Sequence, residues 1–311
     1  MSSTVARDLY LGASIAISWA WGTSLVMGMQ IAQTKGALVF LVWAAANCLT
    51  LGVFGLLFRR GIVTPGIVEN KPVKYSMLAI QCLCLLIQMK VLHDVLLPLA
   101  GDAFAAYCIT AGVGVFFVVA MYARGLSMSI LTDNWQAVLT LSVLLAMLFI
   151  CSMRGAERLP LPSADSSGLA WAGYSACVLL SGIITDMQHW QRAKVNGNGH
   201  AFEWATVLFA VYLALVFALA QYELPPVCQA LLCVAVLGVT TSTVDSVAVA
   251  CHSMVNRTVG TTVCLFICVF WGLFADMGLI EVWSRFGAFR IALALVILSM
   301  GVYAFLKRET E

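Results

Sequence analysis

Charge is what this sequence has least of. Only 10% of its 311 residues are charged, 17 Lys and Arg against 15 Asp and Glu, while 62% are hydrophobic and the mean hydropathy is +0.96. A water-soluble domain needs a far more polar surface, so the composition excludes one and implies a polytopic membrane protein. With a formal net charge of +2 and no basic tract, nothing in the chain is suited to nucleic acid. Also missing are a phosphate-cradling glycine loop, a His-Glu-x-x-His zinc signature and a Ser-His-Asp set with a nucleophile elbow. Enzyme readings therefore find no support. The eleven cysteines lie mostly inside apolar runs without metal-ligand spacing; Cys82 and Cys84, two apart, face opposite sides of a helix and read as small apolar packing residues. The first apolar run is too long and too polar-flanked for a cleaved signal peptide and is expected to stay in the mature protein.

What the chain has in abundance is apolar runs of about 20 residues, the length a helix needs to cross the hydrocarbon. Ten are expected: 9–31, 37–58, 75–98, 102–123, 134–153, 168–190, 202–221, 226–251, 258–280 and 286–306. With the amino terminus inside, eleven Lys and Arg (Arg7, Arg59, Arg60, Lys71, Lys74, Arg124, Arg192, Lys194, Arg257, Lys307, Arg308) fall on the inner side and five (Lys35, Arg154, Arg158, Arg285, Arg290) on the outer. That bias places both termini in the cytoplasm, in a cell inner membrane.

The Pro-containing, Ser-rich segment 158–168 divides the ten spans five and five, giving halves at 1–155 and 156–311 within one membrane domain. With an odd number of helices each, the second half enters the membrane in the opposite sense, the arithmetic of an inverted repeat. Spans 1 and 6 are then equivalent, and both carry small or polar residues at mid-membrane, SWAWGTS in 18–24 and SGIITDMQ in 181–188. Helices interrupted at matching places in two halves point to a transport site, because unwound carbonyls and half-helix ends coordinate ions and solute. In span 8, GVTTSTVDSVAVACHS (238–253) sets Ser242, Thr243, Asp245 and Ser246 into an apolar stretch, oxygen ligands suited to a small hard cation. Helix-packing hydroxyls beside one paired acid are the alternative.

Three segments resemble the sodium:solute symporter family, which has the leucine-transporter-type fold of two inverted five-helix repeats. GLSMSILTDNWQAVL (125–139) is similar to that family's glycine-led turn and Thr-Asp-x-x-Gln helix start, through Thr132, Asp133 and Gln136. ITDMQHWQRAKVNG (184–197) is similar to its sixth core helix through Asp186, Gln191 and Arg192, and TTSTVDSVAVACHSMVNR (240–257) to its eighth. The order matches over nearly the whole chain, although family members are usually longer and this chain is pared to the ten-helix core.

The resemblance implies a sodium site formed by the carbonyls of Ser18 and Trp21 at the break of span 1, with the Val239 carbonyl and the Ser242 and Thr243 hydroxyls of span 8. It also implies a second cation or proton site at Asp133, Ser242, Asp245 and Ser246, where Asp245 departs from the expected hydroxyl and adds a charge. Asp133 has an alternative role as the cap of span 5. Solute candidates are Trp19, Thr23 and Ser24 from span 1, Asp186, Gln188 and His189 from span 6, and Lys90, which shares a face of span 3 with His93 and Asp94. Trp19 reads equally as packing, Lys90 as an internal ion pair with Asp94 or a side chain reaching the outer surface, and His189 as structural or gating. The expected function is a symporter coupling sodium entry to import of a small polar organic solute by alternating access, in contact with sodium, solute and the lipid bilayer and with no obligate protein partner inferred. The alternatives are proton coupling, a symporter-like sensor that binds solute without moving it, or a channel of unrelated fold.

Overall fold

A computed structural model describes residues 3–197, 199–274 and 278–310, and among these the protein is all α-helical. In chain order the helices are α1 (Ser3–Trp19), α2 (Gly22–Lys35), α3 (Ala37–Arg59), α4 (Lys71–Ala100), α5 (Ala103–Met153), α6 (Ser166–Gly182), α7 (Met187–Asn196), α8 (Ala201–Ala220), α9 (Pro226–Met254), α10 (Arg257–Phe270) and α11 (Leu279–Thr310). Seven of the described helices are long and apolar enough to cross a membrane, or eight if α1 and α2, which meet at 63°, count as one bent span.

The sequence punctuates these helices in chemically legible ways. Asp102, Asp165, Asp186 and Asn256 each accept a backbone N–H from the first turn of α5, α6, α7 and α10, satisfying amides a helix start leaves free. At Asp165 the Gly168 N–H, 2.6 Å away, and then the Ser167 hydroxyl hold the carboxyl below its ordinary range. Gly101, in the left-handed conformation, closes α4.

The run 9–31 is two helices with a break at residues 20–21, and the run 168–190 is α6, a 3-10 turn at Ile183–Thr185 and α7, the interruptions expected of spans 1 and 6. One expectation is revised. The runs 102–123 and 134–153 lie in two helical stretches of α5 that follow one another without a loop and meet at a kink at Gly125, φ 65° and ψ −157°. The last part of the run 258–280 passes residues 275–277, which lie outside the described residues.

At the centre stands α9. Every residue from 238 to 251 is buried, so this stretch has no lipid-facing side; a helix enclosed all round belongs in the middle of a bundle. It packs against α4, α5 and α10, and the half of α5 that carries Asp133 lies along its polar stretch.

Candidate ion and solute site at the helix breaks

Helix α1 stops at Trp19 and α2 resumes at Gly22, with Trp21 at φ 20°, a backbone setting L-residues rarely hold. The second break, Gly182 to Met187, lies against the first. A Cβ on Gly182 would come within 2.7 Å of the Trp19 ring, and the Trp19 and His189 rings are 5.3 Å apart, edge to face. The two interruptions expected in spans 1 and 6 therefore sit side by side in the folded chain.

The first break also reaches α9 and α4. Gly22 donates its N–H to Gln88 Oε1 at 2.9 Å, and a Cβ at Gly22 would lie 2.6 Å from Thr240 Oγ1. Glycine is what lets these backbones approach so closely. The five residues expected to hold sodium are all buried: Ser18 and Trp21 flank the first break, and Val239, Ser242 and Thr243 lie in the stretch of α9 that includes Thr240. Their polar hydrogens are engaged elsewhere: Ser18 Oγ donates to the Ile15 carbonyl, Thr243 Oγ1 to the Val239 carbonyl and Ser242 Oγ to Asp133 Oδ1 at 2.6 Å. A hydroxyl that donates still offers lone pairs outward, which is the orientation a cation needs.

Asp133, Asp245 and Ser246 are brought together, and the centre of their cluster is a residue to which sequence reasoning gave no role. Arg192 of α7, fully buried, donates from Nη2 to Asp133 Oδ2 at 2.5 Å and to Ser246 Oγ at 2.7 Å, from Nε to Ser14 Oγ at 2.9 Å, and from Nη1 to the Gln188 carbonyl at 3.0 Å. Asp133 accepts further from Ser14 and Ser242. It lies well inside α5 and receives side-chain donors, so the capping role is corrected; the helix is already under way from Leu126. Asp245 accepts from Ser129 Oγ at 2.9 Å, Ser246 Oγ at 3.1 Å and Thr132 Oγ1 at 2.7 Å. Asp133 thus pairs directly with Arg192, while Asp245 beside it is held by three hydroxyls, in a buried setting where net charge is costly.

Every segment that carried the family resemblance contributes here. Thr132 meets Asp245, Asp133 meets Ser242 and Arg192, Gln136 donates to Thr241 at 3.0 Å, and Gln191 donates to the Val249 carbonyl at 3.2 Å. No protein-family model and no curated protein matches the chain.

Among the solute candidates, Asp186 caps α7 and accepts from Gln188 Nε2 at 2.7 Å and Gln81 Nε2 at 2.9 Å. Trp19 Nε1 donates to the Asn47 carbonyl, while Thr23 and Ser24 line a small cavity with Trp19, Trp21 and Asn47. Lys90 pairs with Asp94 within α4, at 3.1 Å, the internal ion pair that was one of its two alternatives. Around the breaks several buried polar atoms have no hydrogen-bond partner, among them Gln88 Nε2, Gln188 Oε1, both ring nitrogens of His189 and Thr240 Oγ1. Such atoms carry a desolvation cost of about 1–3 kcal/mol each until something satisfies them.

One further residue is misplaced by sequence alone. Arg290, expected in an outer loop, is 6% exposed inside α11, its guanidinium 4.8 Å over the Trp21 ring. Neither Arg290 nor the buried Arg192 therefore belongs in the count of loop charges. No group of three or more His, Cys, Asp or Glu that could hold a metal ion occurs among the described residues.

Proposed function

We propose that the chain is a sodium-coupled secondary transporter that imports a small polar organic solute by alternating access, its ten crossings arranged as two inverted five-helix repeats with both termini in the cytoplasm. The observation carrying this reading is the meeting of two broken helices at one buried point, surrounded by polar atoms that lack partners. Interrupted helices at membrane depth persist where backbone lines a binding site rather than lipid. Sodium held by the Ser18 and Trp21 carbonyls, the Val239 carbonyl and the Ser242 and Thr243 hydroxyls would draw α9 against the break of α1 and complete the solute pocket. Coupling then follows if ion and solute favour the same state.

Sodium itself tests the ion site without knowledge of the solute. In detergent, replacing choline chloride by sodium chloride at about 100 times the dissociation constant should stabilise the protein by about 2.7 kcal/mol. Ser242→Ala and Thr243→Ala should each abolish most of that sodium-specific rise in melting temperature; the basal melt falls in Ser242→Ala, which loses the bond to Asp133, and is nearly retained in Thr243→Ala. Absence of a sodium-specific rise in the parent protein, or its survival in both variants, removes the site.

Proton coupling is a second reading, favoured by one observation: Asp133 and Asp245 together outnumber the single guanidinium of Arg192 by one charge, and a proton on Asp245 restores neutrality. Asp245→Asn should then flatten the pH profile of solute uptake into proteoliposomes and leave its sodium dependence alone. Identical profiles in parent and variant exclude the proton branch. Binding with no net flux under either gradient would favour a solute sensor.

A further inference from the structure

Within the transporter reading, on which this inference rests, we propose that the solute carries a carboxylate and that Arg290 of α11 is the residue that binds it. Two buried arginines in this protein differ sharply in their surroundings. Arg192 is met by oxygen atoms from Asp133, Ser14, Ser246 and the Gln188 backbone. Arg290 has five N–H donors and, among the described residues, one hydrogen-bond acceptor, Cys84 Sγ at 3.5 Å, a weak one. Asp186 Oδ2 forms a long ion pair with Arg290 Nη2 at 3.9 Å, beyond hydrogen-bond reach, and the Asp186 carboxylate accepts hydrogen bonds from the amides of Gln81 and Gln188, so the guanidinium keeps most of its N–H donors free.

A guanidinium taken out of water with its donors unused is a costly arrangement, and a planar carboxylate is the group that best satisfies the fork. Arg290 borders two small cavities on either side of Trp21. One is lined by Trp19, Thr23, Ser24, Trp43 and Asn47 and the other by Cys84, Val178, Trp283 and Phe286; each has a volume of about 10 Å³, room for one water, so a solute enters only as the cavity widens.

The chemistry of the first cavity points the same way. Trp21 Nε1, Trp43 Nε1 and Asn47 Nδ2 are buried without partners, and all three are donors. Three unpartnered buried donors beside a cation with most of its N–H groups free favour a ligand rich in acceptors and negative in charge. Its indole walls suit a compact apolar body attached to that group. A sugar or a nucleobase, which must also donate, and a quaternary amine, which repels Arg290, fit poorly.

The test is a thermal-shift panel on the full-length protein in matched sodium chloride: propionate, lactate and alanine as carboxylates, glucose and uracil as neutral compounds, choline as a cation. A carboxylate should raise the melting temperature of the parent protein, and Arg290→Gln should weaken that response about 100-fold, the scale of a lost charge-assisted hydrogen-bond pair. Trp43→Phe keeps the ring, removes one donor and should weaken it about tenfold, giving a second readout if the arginine variant does not fold. Stabilisation by a neutral or cationic compound that both variants retain would overturn the carboxylate assignment and leave the transporter reading standing. Stabilisation by neither sodium nor any compound overturns both.

Discussion

Arg192→Gln is expected to lower the stability of the folded protein by about 3–5 kcal/mol, the cost of leaving a buried carboxylate without its cation. The size follows from how completely the guanidinium is used: it is fully buried and joins Asp133, Ser14 and Ser246 on three different helices to its own α7. Asp133→Asn in the same background should restore most of the loss, because the unpaired charge disappears with it. A thermal or denaturant melt of parent, single variants and double variant forms a cycle that isolates the pair. If the double variant is no more stable than Arg192→Gln, the two side chains are not energetically coupled and the pair is incidental. Binding should also be affected, since α7 begins at the second break and Arg192 ties it to α1 and α9.

Gly22→Val should abolish solute-dependent stabilisation and transport and destabilise the fold by about 1–3 kcal/mol, the range for overpacking a tight interior. Its added carbons would meet Thr240 Oγ1, Val91 Cγ1 and Gln88 Oε1, at 2.6, 2.8 and 3.2 Å from the first atom alone. Relief requires α2 to move off α9 and α4, which breaks the bond from Gly22 N–H to Gln88 and opens the junction that joins α1 to α9. Gly22→Ala should show a smaller loss of the same kind. Equal binding in all three proteins would mean that the close approach of the first break to α9 has no part in the site.

Much of this arrangement was legible in the residues. Apolar run length located the helices, and the small polar residues at 18–24 and 181–188 marked both breaks, because an interrupted membrane helix needs residues that tolerate unwound backbone. Hydroxyls and a carboxylate in an apolar run marked the buried face of α9. Arg192 and Arg290 escaped because each lies near the end of an apolar run, where a basic residue ordinarily reaches to the membrane surface; only the packing of α7 and α11 decides that these two turn inward. Ser14, Ser129 and Asn47 escaped because one isolated small polar residue in a membrane helix is common and carries no spacing. Gln81 and Gln88 did offer a signal, seven residues apart on one face of α4, and both now point at the breaks through Asp186 and Gly22.

Helix α5 is 51 residues long. Unbent, 51 residues would make a rod of about 77 Å, more than twice the hydrocarbon thickness of a bilayer. The stretches 103–124 and 126–153 measure about 33 and 42 Å, and each alone is adequate for one crossing. Gly125 occupies a region of backbone space that side-chain-bearing residues scarcely enter. If each stretch makes its own crossing, as the proposed ten-span arrangement requires, the turn between them rests on the missing Cβ of a single residue.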